Sequence, residues 1–325
     1  MVLIRIPPAW EIPENQITPE TAFLNRRRFM KSLIGAGVAA TVLPLTACNS
    51  LGNAQSGTEG LKPFSNLSTN PNFKDAGRTI TKADFATHYN NFYEFGGSKS
   101  IWEAAQALPT ETWKLEVTGL VKNPATYDLD DLRNKFPIEE RIYRFRCVEA
   151  WAMVVPWVGF PMGKIIEAVE PNSNAKFVRF TSFYNPKITK GPGFWALNYP
   201  WPYTEGLRIE EMANELAFFA VGMYGKTLPK QNGAPIRAVL PWKYGFKGAK
   251  SIVKIEFLEK QPPTFWNTLA PEEYGFLANV NPNKPHPRWS QATEKVVSNS
   301  PSFSWERQPT LLYNGYEEYV GSLYS

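Results

Sequence analysis

Short segments with strand periodicity, rather than helices, dominate the chain and most restrict its fold. We predict strands at 113–121, 142–148, 176–183, 216–223, 235–242 and 251–258, and short helices at 128–136 and 163–169. Strand and helix do not alternate regularly, and no glycine-rich dinucleotide motif occurs, so a parallel βαβ fold is not expected. The pattern predicts an α+β fold with antiparallel or mixed sheets.

The strand predicted at 142–148 has a cysteine near its end. Alternation places Tyr143, Phe145 and Cys147 on one face of this strand and Arg144 and Arg146 on the other. A thiolate is a good ligand for a redox-active metal, and nearby cationic side chains would help to keep the sulfur deprotonated. A lone cysteine is more often a small buried apolar residue, so the position alone leaves both interpretations open.

The N-terminal segment predicts export. Residues 25–31 (NRRRFMK) contain paired arginines and precede an uncharged, weakly apolar run at 32–47. A basic region, a short apolar run and small residues before a cleavage site are typical of a signal peptide, and the arginine pair indicates the twin-arginine route. We assign 1–47 to this export signal, with an N-terminal membrane anchor as the alternative. The twin-arginine route carries folded proteins, which suits a protein that receives a cofactor before export.

Residues 45–48 (LTAC) resemble a bacterial lipoprotein box, so Cys48 is either a site of lipid attachment or lost with the signal. In both cases Cys147 is the remaining thiol and cannot form an intramolecular disulfide. A bridge between Cys48 and Cys147 is the less favoured alternative. Residues 48–75 are rich in Asn, Ser, Gly and Thr and predict a flexible tether, and 76–325 then form a single domain.

Charge and histidine content narrow the chemistry. Of the formal net charge of +5, the export signal accounts for +2, and the remaining +3 gives no electrostatic reason to expect a nucleic-acid partner. The histidines, His88 and His286, are too far apart to complete a zinc site of familiar spacing with one cysteine. A cysteine hydrolase with His286 as its base remains a weak alternative. The CxxC pair of a thiol–disulfide exchanger is absent from the sequence.

Several motifs, taken in order, resemble those of one enzyme superfamily. Residues 144–151 (RFRCVEAW) and 155–161 (VPWVGFP) resemble the molybdenum-binding strand and loop of the sulfite oxidase superfamily. More closely, the chain resembles the family of catalytic subunits of bacterial periplasmic protein-methionine-sulfoxide reductases. Further matching stretches lie at 89–96, 231–237, 241–252, 286–293 and 308–312. They span most of the mature chain, and as a set they are far more specific than any one motif.

The resemblance implies a sulfite-oxidase-like molybdopterin-binding fold, with mixed β-sheets and short helices, and a Mo-molybdopterin cofactor. Cys147 matches the family's molybdenum ligand and is the expected catalytic residue. The other positions that match cofactor contacts are Asn90, Tyr93, Glu94, Ser182, Asn232, Arg237, Gly248, Ala249 and Lys250. The family usually has threonine at Ser182 and a bulkier apolar residue at Ala249. Arg237 and Lys250 suit a phosphate, the arginine as a planar fork and the lysine as a point charge.

The resemblance also implies a periplasmic enzyme that reduces methionine sulfoxide residues in oxidised proteins. No CxxCH haem motif and no set of cluster cysteines occurs in the sequence, so electrons are expected from a haem-containing membrane subunit linked to the respiratory chain. The catalytic subunit is expected to be monomeric. Two alternatives remain open: oxidation of a small sulfur substrate, as in sulfite oxidases, and a lipid-anchored binding protein with an inert cysteine.

Overall fold

A computed structural model of the protein describes residues 57–193, 196–298 and 302–325. The predicted export signal at 1–47, the candidate lipid-attachment residue Cys48 and the first part of the predicted tether lie outside the described residues. Within the described residues, no helix has both the length and the hydrophobicity to span a membrane.

The strands of the described residues form two mixed sheets. In chain order they are β1 (Leu115–Gly119), β2 (Ala125–Tyr127), β3 (Glu139–Arg146), β4 (Trp151–Pro161), β5 (Phe177–Ser182), β6 (Thr204–Arg208), β7 (Phe218–Met223), β8 (Lys226–Thr227), β9 (Arg237–Val239), β10 (Ile252–Leu258), β11 (Thr293–Val296) and β12 (Arg307–Pro309). One sheet has the order β2–β1–β10–β5–β6. The other has the order β12–β11–β4–β7–β8, with β3 paired to β4 and β9 paired to β7. The β1–β10 and β4–β11 pairs are parallel, which confirms the predicted α+β fold with mixed sheets.

The helices of the described residues are short. The α-helices are Ala83–His88, Trp102–Ala105, Leu129–Asn134, Gly163–Val169, Ile209–Ala213, Phe265–Leu269 and Glu317–Val320, and the 3-10 helices are Pro71–Phe73, Lys230–Asn232, Gly245–Lys247, Ser302–Ser304, Leu312–Gly315 and Gly321–Leu323. Helix Leu129–Asn134 begins at Asp128, whose carboxylate accepts hydrogen bonds from the backbone N–H groups of the first turn in a capping box. The two predicted helices are confirmed.

The longest strand, β4, is absent from the predicted strands because Pro156 and Gly159 interrupt its sequence pattern. In the sheet, the carbonyl of Pro156 accepts a hydrogen bond from the backbone N–H of Tyr224 at 2.9 Å. At Gly159 a Cβ atom would lie 1.9 Å from the carbonyl oxygen of Phe219 on β7, so only glycine permits this close approach. The predicted strand at 235–242 is reduced to the three residues of β9.

A small apolar cluster supports the segment that follows helix Ala83–His88. The members of this cluster are Phe92, Phe95, Ile101, Ala105, Leu108 and Trp113. Because Phe92 and Phe95 point into the cluster, the intervening Tyr93 and Glu94 are held in fixed positions. The larger core contains side chains from both sheets.

Residues 63–73 lie on the domain, although their polar composition predicts a tether. Pro63 forms a β-bridge with Lys226, and Thr69 forms one with Glu140. The ring of Phe73 is buried, with its centroid 5.4 Å from that of Tyr143. The buried aromatic ring and the two bridges thus attach these residues to the domain despite their polar composition.

Candidate active site

Cys147 opens the four-residue loop of the β3–β4 hairpin. The backbone N–H of Cys147 donates to the carbonyl of Trp151 at 2.9 Å, and the N–H of Ala150 donates to the carbonyl of Cys147 at 3.0 Å. Ala150 closes the loop with a φ of 65°, in the left-handed region. The sulfur therefore projects from a short turn between two core strands, directly after the end of β3, whereas the alternation of residues 142–148 predicts a strand that still includes Cys147.

The sulfur lies in an open cleft whose empty space, with the open solvent around its mouth included, is about 910 Å³. Phe145 and Cys147 line this cleft, whereas Arg144 and Arg146 do not, which confirms the predicted faces of the strand. Arg144 instead donates through Nε to the carbonyl of Ala76 at 2.7 Å. Cys147 is a free thiol with 5 % of its surface exposed.

The immediate neighbours of the sulfur are Asn91 and Glu149. Asn91 Nδ2 lies 3.7 Å from Sγ, the backbone N–H of Glu149 donates to Sγ at 3.4 Å, and Glu149 Oε2 lies 3.9 Å away. Burial and the Glu149 carboxylate raise the pKa of the Cys147 thiol to about 12, and Lys99 and Arg146 oppose this only in part. Lys99 and Arg146 thus lower the pKa of the thiol, as predicted, but burial outweighs them, so a bound metal ion would have to keep the sulfur deprotonated.

The Glu149 carboxylate is held beside the sulfur by three donors. Its Oε2 accepts from Trp151 Nε1 at 3.0 Å and from Asn91 Nδ2 at 3.2 Å, and it forms an ion pair with Lys99. Burial alone would raise the pKa of Glu149, but Lys99, Trp151 and Asn91 outweigh it and hold the pKa below its usual value. A negative charge therefore persists next to Cys147 at neutral pH.

Two cations line the cleft without a carboxylate partner. Arg237 is 3 % exposed and donates to the carbonyls of Asn232 at 3.0 Å and Ala238 at 3.3 Å. Lys250 is half-buried and donates to the carbonyl of Asn91. Among the described residues neither side chain forms an ion pair, and burial lowers the pKa of both, that of Arg237 to about 10. Such cations are costly to bury unless an anion accompanies them.

Glu94 is the acidic group that acts on Lys250, but it does not reach ion-pair distance. It is 4 % exposed, and burial raises the pKa of its carboxyl to above its usual value, although its own backbone N–H and Lys250 oppose this. A carboxyl that is partly protonated at neutral pH compensates Lys250 poorly. Burial disfavours the charge of Lys250 as well as that of Glu94, so Arg237 is the cleft cation whose charge is clearly left without a carboxylate.

Two buried polar atoms of the cleft lining, Trp157 Nε1 and Asn232 Oδ1, also have no hydrogen-bond partner. Ser182 Oγ and Ser251 Oγ, which do not line the cleft, are unpaired as well. Buried polar atoms in proteins are almost always paired, so the two unpaired atoms of the lining indicate a polar ligand. The guanidinium of Arg237 also lies close to the backbone of Gly248. A Cβ atom at Gly248 would lie 2.7 Å from the carbonyl of Ala238 and 3.0 Å from Arg237 Nη2.

A polar, anionic group is therefore expected in the cleft, and comparison with known proteins identifies its class. Residues 103–266 match the model of the oxidoreductase molybdopterin-binding domain family. The chain belongs to this family. Its cofactor is Mo-molybdopterin, and its fold is the mixed-sheet α+β fold of the sulfite oxidase superfamily.

Among solved structures, the chain is similar to the sulfane dehydrogenase SoxCD from Paracoccus pantotrophus. The two are 16 % identical, the match covers 83 % of this chain and 69 % of that chain, and the TM-score is 0.46.

Most of the residues predicted to contact molybdopterin come together in the cleft. Asn90, Tyr93, Glu94, Cys147, Asn232, Arg237, Gly248 and Lys250 line it. Hydrogen bonds join them: Asn232 Nδ2 donates to Asn90 Oδ1 at 3.1 Å, and Arg237 Nη1 donates to the carbonyl of Asn232. Ser182 and Ala249 are buried and do not line the cleft. The role of each residue in binding the cofactor stays a prediction.

The cleft also contains residues to which the sequence patterns give no role. Trp157 lines it with an unpaired indole N–H, and the guanidinium of Arg237 lies 4.9 Å from the centre of its ring. Trp157 and Glu149 lie within the quoted motifs, but nothing in their spacing separates cleft residues from core residues. Trp266 and Tyr274 lie more than 100 residues from Cys147 and carry no local signal.

The alternative of a cysteine hydrolase lacks its base. The hydrogen-bond partners of Cys147 Sγ in the described part of the chain are Asn91 and Glu149. His286 does not line the cleft; it stacks on Trp289 with 3.8 Å between ring centroids, and its Nδ1 accepts from the backbone N–H of Arg288. His286 is therefore not placed to activate the thiol.

Proposed function

We propose that this molybdopterin-dependent oxidoreductase reduces methionine sulfoxide residues in oxidised proteins of the periplasm. The observation that carries the proposal is the free thiol of Cys147 in a cleft whose two cations have no carboxylate partner. The specific reaction, reduction of methionine sulfoxide, is inferred from the sequence motifs that resemble those of the reductase family.

The chain's own residues fit the cofactor. Cys147 would supply the protein sulfur ligand to molybdenum, since soft thiolates suit this class of metal. Arg237 and Lys250 would bind the pterin phosphate, and the unpaired Oδ1 of Asn232 would accept a hydrogen bond from the pterin. When bound, Mo-molybdopterin supplies the oxygen-atom transfer chemistry, and the protein supplies position and electrostatics.

The lining of the cleft favours a neutral sulfoxide over sulfite. The rings of Tyr93 and Trp266 lie 4.9 Å apart, and those of Trp266 and Tyr274 lie 5.0 Å apart. Sulfur-containing side chains pack well against such rings. Glu149, 3.9 Å from Cys147 Sγ, adds no positive charge that would attract sulfite, and its carboxylate is paired with Lys99. These features support the repair reaction over sulfite oxidation.

The reaction needs an electron donor. Conversion of a sulfoxide to a thioether and water consumes two electrons and two protons. The sequence has no ligand set for a haem or an iron–sulfur cluster. We therefore propose that electrons come from a haem-containing membrane subunit linked to the respiratory chain, and that the twin-arginine signal delivers the catalytic subunit to the periplasm.

The proposal is tested by turnover of the purified, molybdenum-loaded protein on two substrates. Reduction of a peptide with methionine sulfoxide is measured with reduced benzyl viologen as the donor, and oxidation of sulfite with ferricyanide as the acceptor. We expect peptide reduction in the wild type, no peptide reduction in Cys147→Ser, and little sulfite oxidation in either. Sulfite oxidation that equals or exceeds peptide reduction would assign the chain to the alternative reaction.

A variant of the rim separates substrate binding from chemistry. Trp266→Leu removes the ring between Tyr93 and Tyr274 but leaves the sulfur and the cations in place. We expect a higher KM for the peptide with a similar kcat, since this ring would bind the substrate without taking part in the reaction. A fall in kcat with an unchanged KM would contradict this role.

A further inference from the structure

The carbonyl that follows the Cys147 thiol in sequence is held by two side chains from a distant segment. The carbonyl oxygen of Val148 accepts from Trp289 Nε1 at 2.8 Å and from Gln291 Nε2 at 2.8 Å. Both donors lie more than 140 residues away in sequence. One hydrogen bond is enough to satisfy a buried carbonyl, so the second donor does more than avoid an unpaired group.

The same segment also holds Cys147 through a buried arginine. Gln291 Oε1 accepts from Arg146 Nη2 at 2.8 Å, and Arg146 Nη1 donates to the carbonyl of Cys147. Arg146 Nε donates to Glu294 Oε2 at 3.0 Å, and both side chains have no exposed surface. We call Arg146, Trp289, Gln291 and Glu294 the hairpin clasp. It fixes the carbonyls of two consecutive residues, Cys147 and Val148.

Burial of these groups is poorly explained by stability alone. A buried arginine–glutamate pair gains little over well-packed apolar residues of the same volume, because desolvation offsets the attraction. What the clasp does provide is a fixed orientation, since the guanidinium and the amide are planar and each bonds at two or more points. The held carbonyls flank the Cα of Val148, directly after the residue that carries the sulfur.

We propose that the hairpin clasp is a set of positioning residues that aims the Cys147 sulfur at molybdenum. Groups that orient a metal ligand from behind affect metal affinity and electronic structure although they do not touch the metal. This inference rests on the proposed role of Cys147 as the metal ligand. It adds that a segment with no residue in the cleft, 289–294, sets the geometry of that ligand.

The shared carbonyl makes the test a double-mutant cycle. Trp289→Phe and Gln291→Met each leave Val148 with one donor, and the double variant leaves it with none. We expect each single variant to keep most of its molybdenum and to shift the g-values of the Mo(V) electron paramagnetic resonance spectrum slightly. The double variant should lose about tenfold or more in molybdenum per chain, beyond the sum of the singles.

A matched control removes the same kind of bond elsewhere. Trp201 Nε1 donates to the carbonyl of Ala196 at 3.0 Å, and Trp201 does not line the cleft. Trp201→Phe should keep the wild-type spectrum and molybdenum content even if its melting temperature falls. If the double variant does not fold, the spectrum of Trp289→Phe against that of Trp201→Phe decides the question.

The proposal is overturned if the double variant keeps the wild-type molybdenum content and spectrum. It is also overturned if Trp289→Phe and Trp201→Phe have the same spectrum. The spectrum of Cys147→Ser separates this failure from that of the proposed ligand: an unchanged spectrum there removes Cys147 from the metal, whereas a changed one leaves only the clasp in question.

Discussion

Lys247 and Lys250 lie on the same short segment, yet the protein treats the two ammonium groups differently. Lys247 Nζ lies 2.6 Å from Glu205 Oε2, and Lys243 Nζ lies 2.6 Å from Glu211 Oε1; in each pair both side chains are almost fully buried. Lys250 and Arg237, by contrast, face the cleft without an ion pair in the described part of the chain. The Lys243 pair is complete within the domain, and the Lys247 pair lacks a partner only for Glu205 Oε1, whereas the second set has no carboxylate partner and requires an anion from outside.

Each N–H group of the Lys243 ammonium has an acceptor in the domain. Besides Glu211, the ammonium donates to the carbonyl of Leu277 and to Asn279 Oδ1, both at 2.8 Å. Burial alone would raise the pKa of Glu211, but Lys243 outweighs it and holds the pKa below its usual value. Buried charge with all partners present indicates structure, and buried charge without them indicates a ligand site.

The largest effect should come from breaking a complete pair. Lys243→Met leaves the Glu211 carboxylate buried without its partner, which costs about 3–5 kcal/mol in similar cases. We expect the free energy of unfolding to fall by this amount in a denaturant titration. The double variant Lys243→Met with Glu211→Leu should recover much of the loss. A single variant as stable as the wild type would remove the distinction between the two sets of cations.

The thiol in the cleft should be unreactive when the cofactor is absent. Because the pKa of Cys147 is raised from 9.0 to about 12, its thiolate fraction at pH 8 should be about a thousandfold below that of an ordinary cysteine. We expect alkylation by iodoacetamide in cofactor-free protein to accelerate about tenfold per pH unit up to pH 11. The same protein in denaturant is the control, and its rate should level off near pH 9. Rapid labelling of the folded protein at pH 8 would contradict a raised pKa of the Cys147 thiol.

Removal of a cation from the cleft should affect the cofactor rather than the fold. Arg237→Met takes away a charged donor but leaves no buried carboxylate behind, so the free energy of unfolding of the cofactor-free protein should change much less than in Lys243→Met. Molybdopterin content should fall about tenfold to a hundredfold, as expected for loss of a charged hydrogen bond worth roughly 1.5–3 kcal/mol. Arg237→Lys keeps the positive charge but not the planar guanidinium, so its molybdopterin content should lie between those of the wild type and Arg237→Met. Equal losses of stability in Arg237→Met and Lys243→Met would contradict the comparison.

The smallest effect is expected at Ser182, whose hydroxyl has no partner in the protein. Ser182→Ala should not destabilise the cofactor-free protein, because no hydrogen bond is lost. If the hydroxyl binds the cofactor, molybdenum content should fall by a factor of about ten at most, from the roughly 0.5–1.5 kcal/mol of a neutral hydrogen bond. Ser182→Thr, the family's usual residue, should match the wild type. A fall in thermal stability in Ser182→Ala would show that the hydroxyl has a structural role instead.

The sequence predicts elements whose pattern is local. Alternation over 142–148 correctly separates the cleft side of β3 from the side with Arg144 and Arg146, and the helix predicted at 128–136 is found at Leu129–Asn134. It does not predict β4, because Pro156 and Gly159 suggest a break that pairing with β3 and β7 removes. Periodicity reports local exposure, whereas pairing with distant strands is decided by the whole sheet.

The candidate site shows the same contrast between local patterns, which the sequence predicts, and contacts between distant segments, which it does not. Most of the residues that the family resemblance predicts lie in one cleft, but the arginines beside Cys147 in the sequence do not show how strongly burial opposes its ionisation. In the structure Arg146 is committed to Glu294 and Gln291, and burial dominates the thiol. The hydrogen bonds of Trp289 and Gln291 to Val148 depend on how distant segments meet, and no pattern of residue spacing predicts them.

The most direct test of the comparison is diffraction at the molybdenum absorption edge from crystals of the exported protein. The account predicts an anomalous peak bonded to Cys147 Sγ and density for a phosphate between Arg237 and Lys250, with Lys243 and Lys247 still paired to their glutamates. A sulfur without a metal, or a phosphate bound away from both cleft cations, would contradict it.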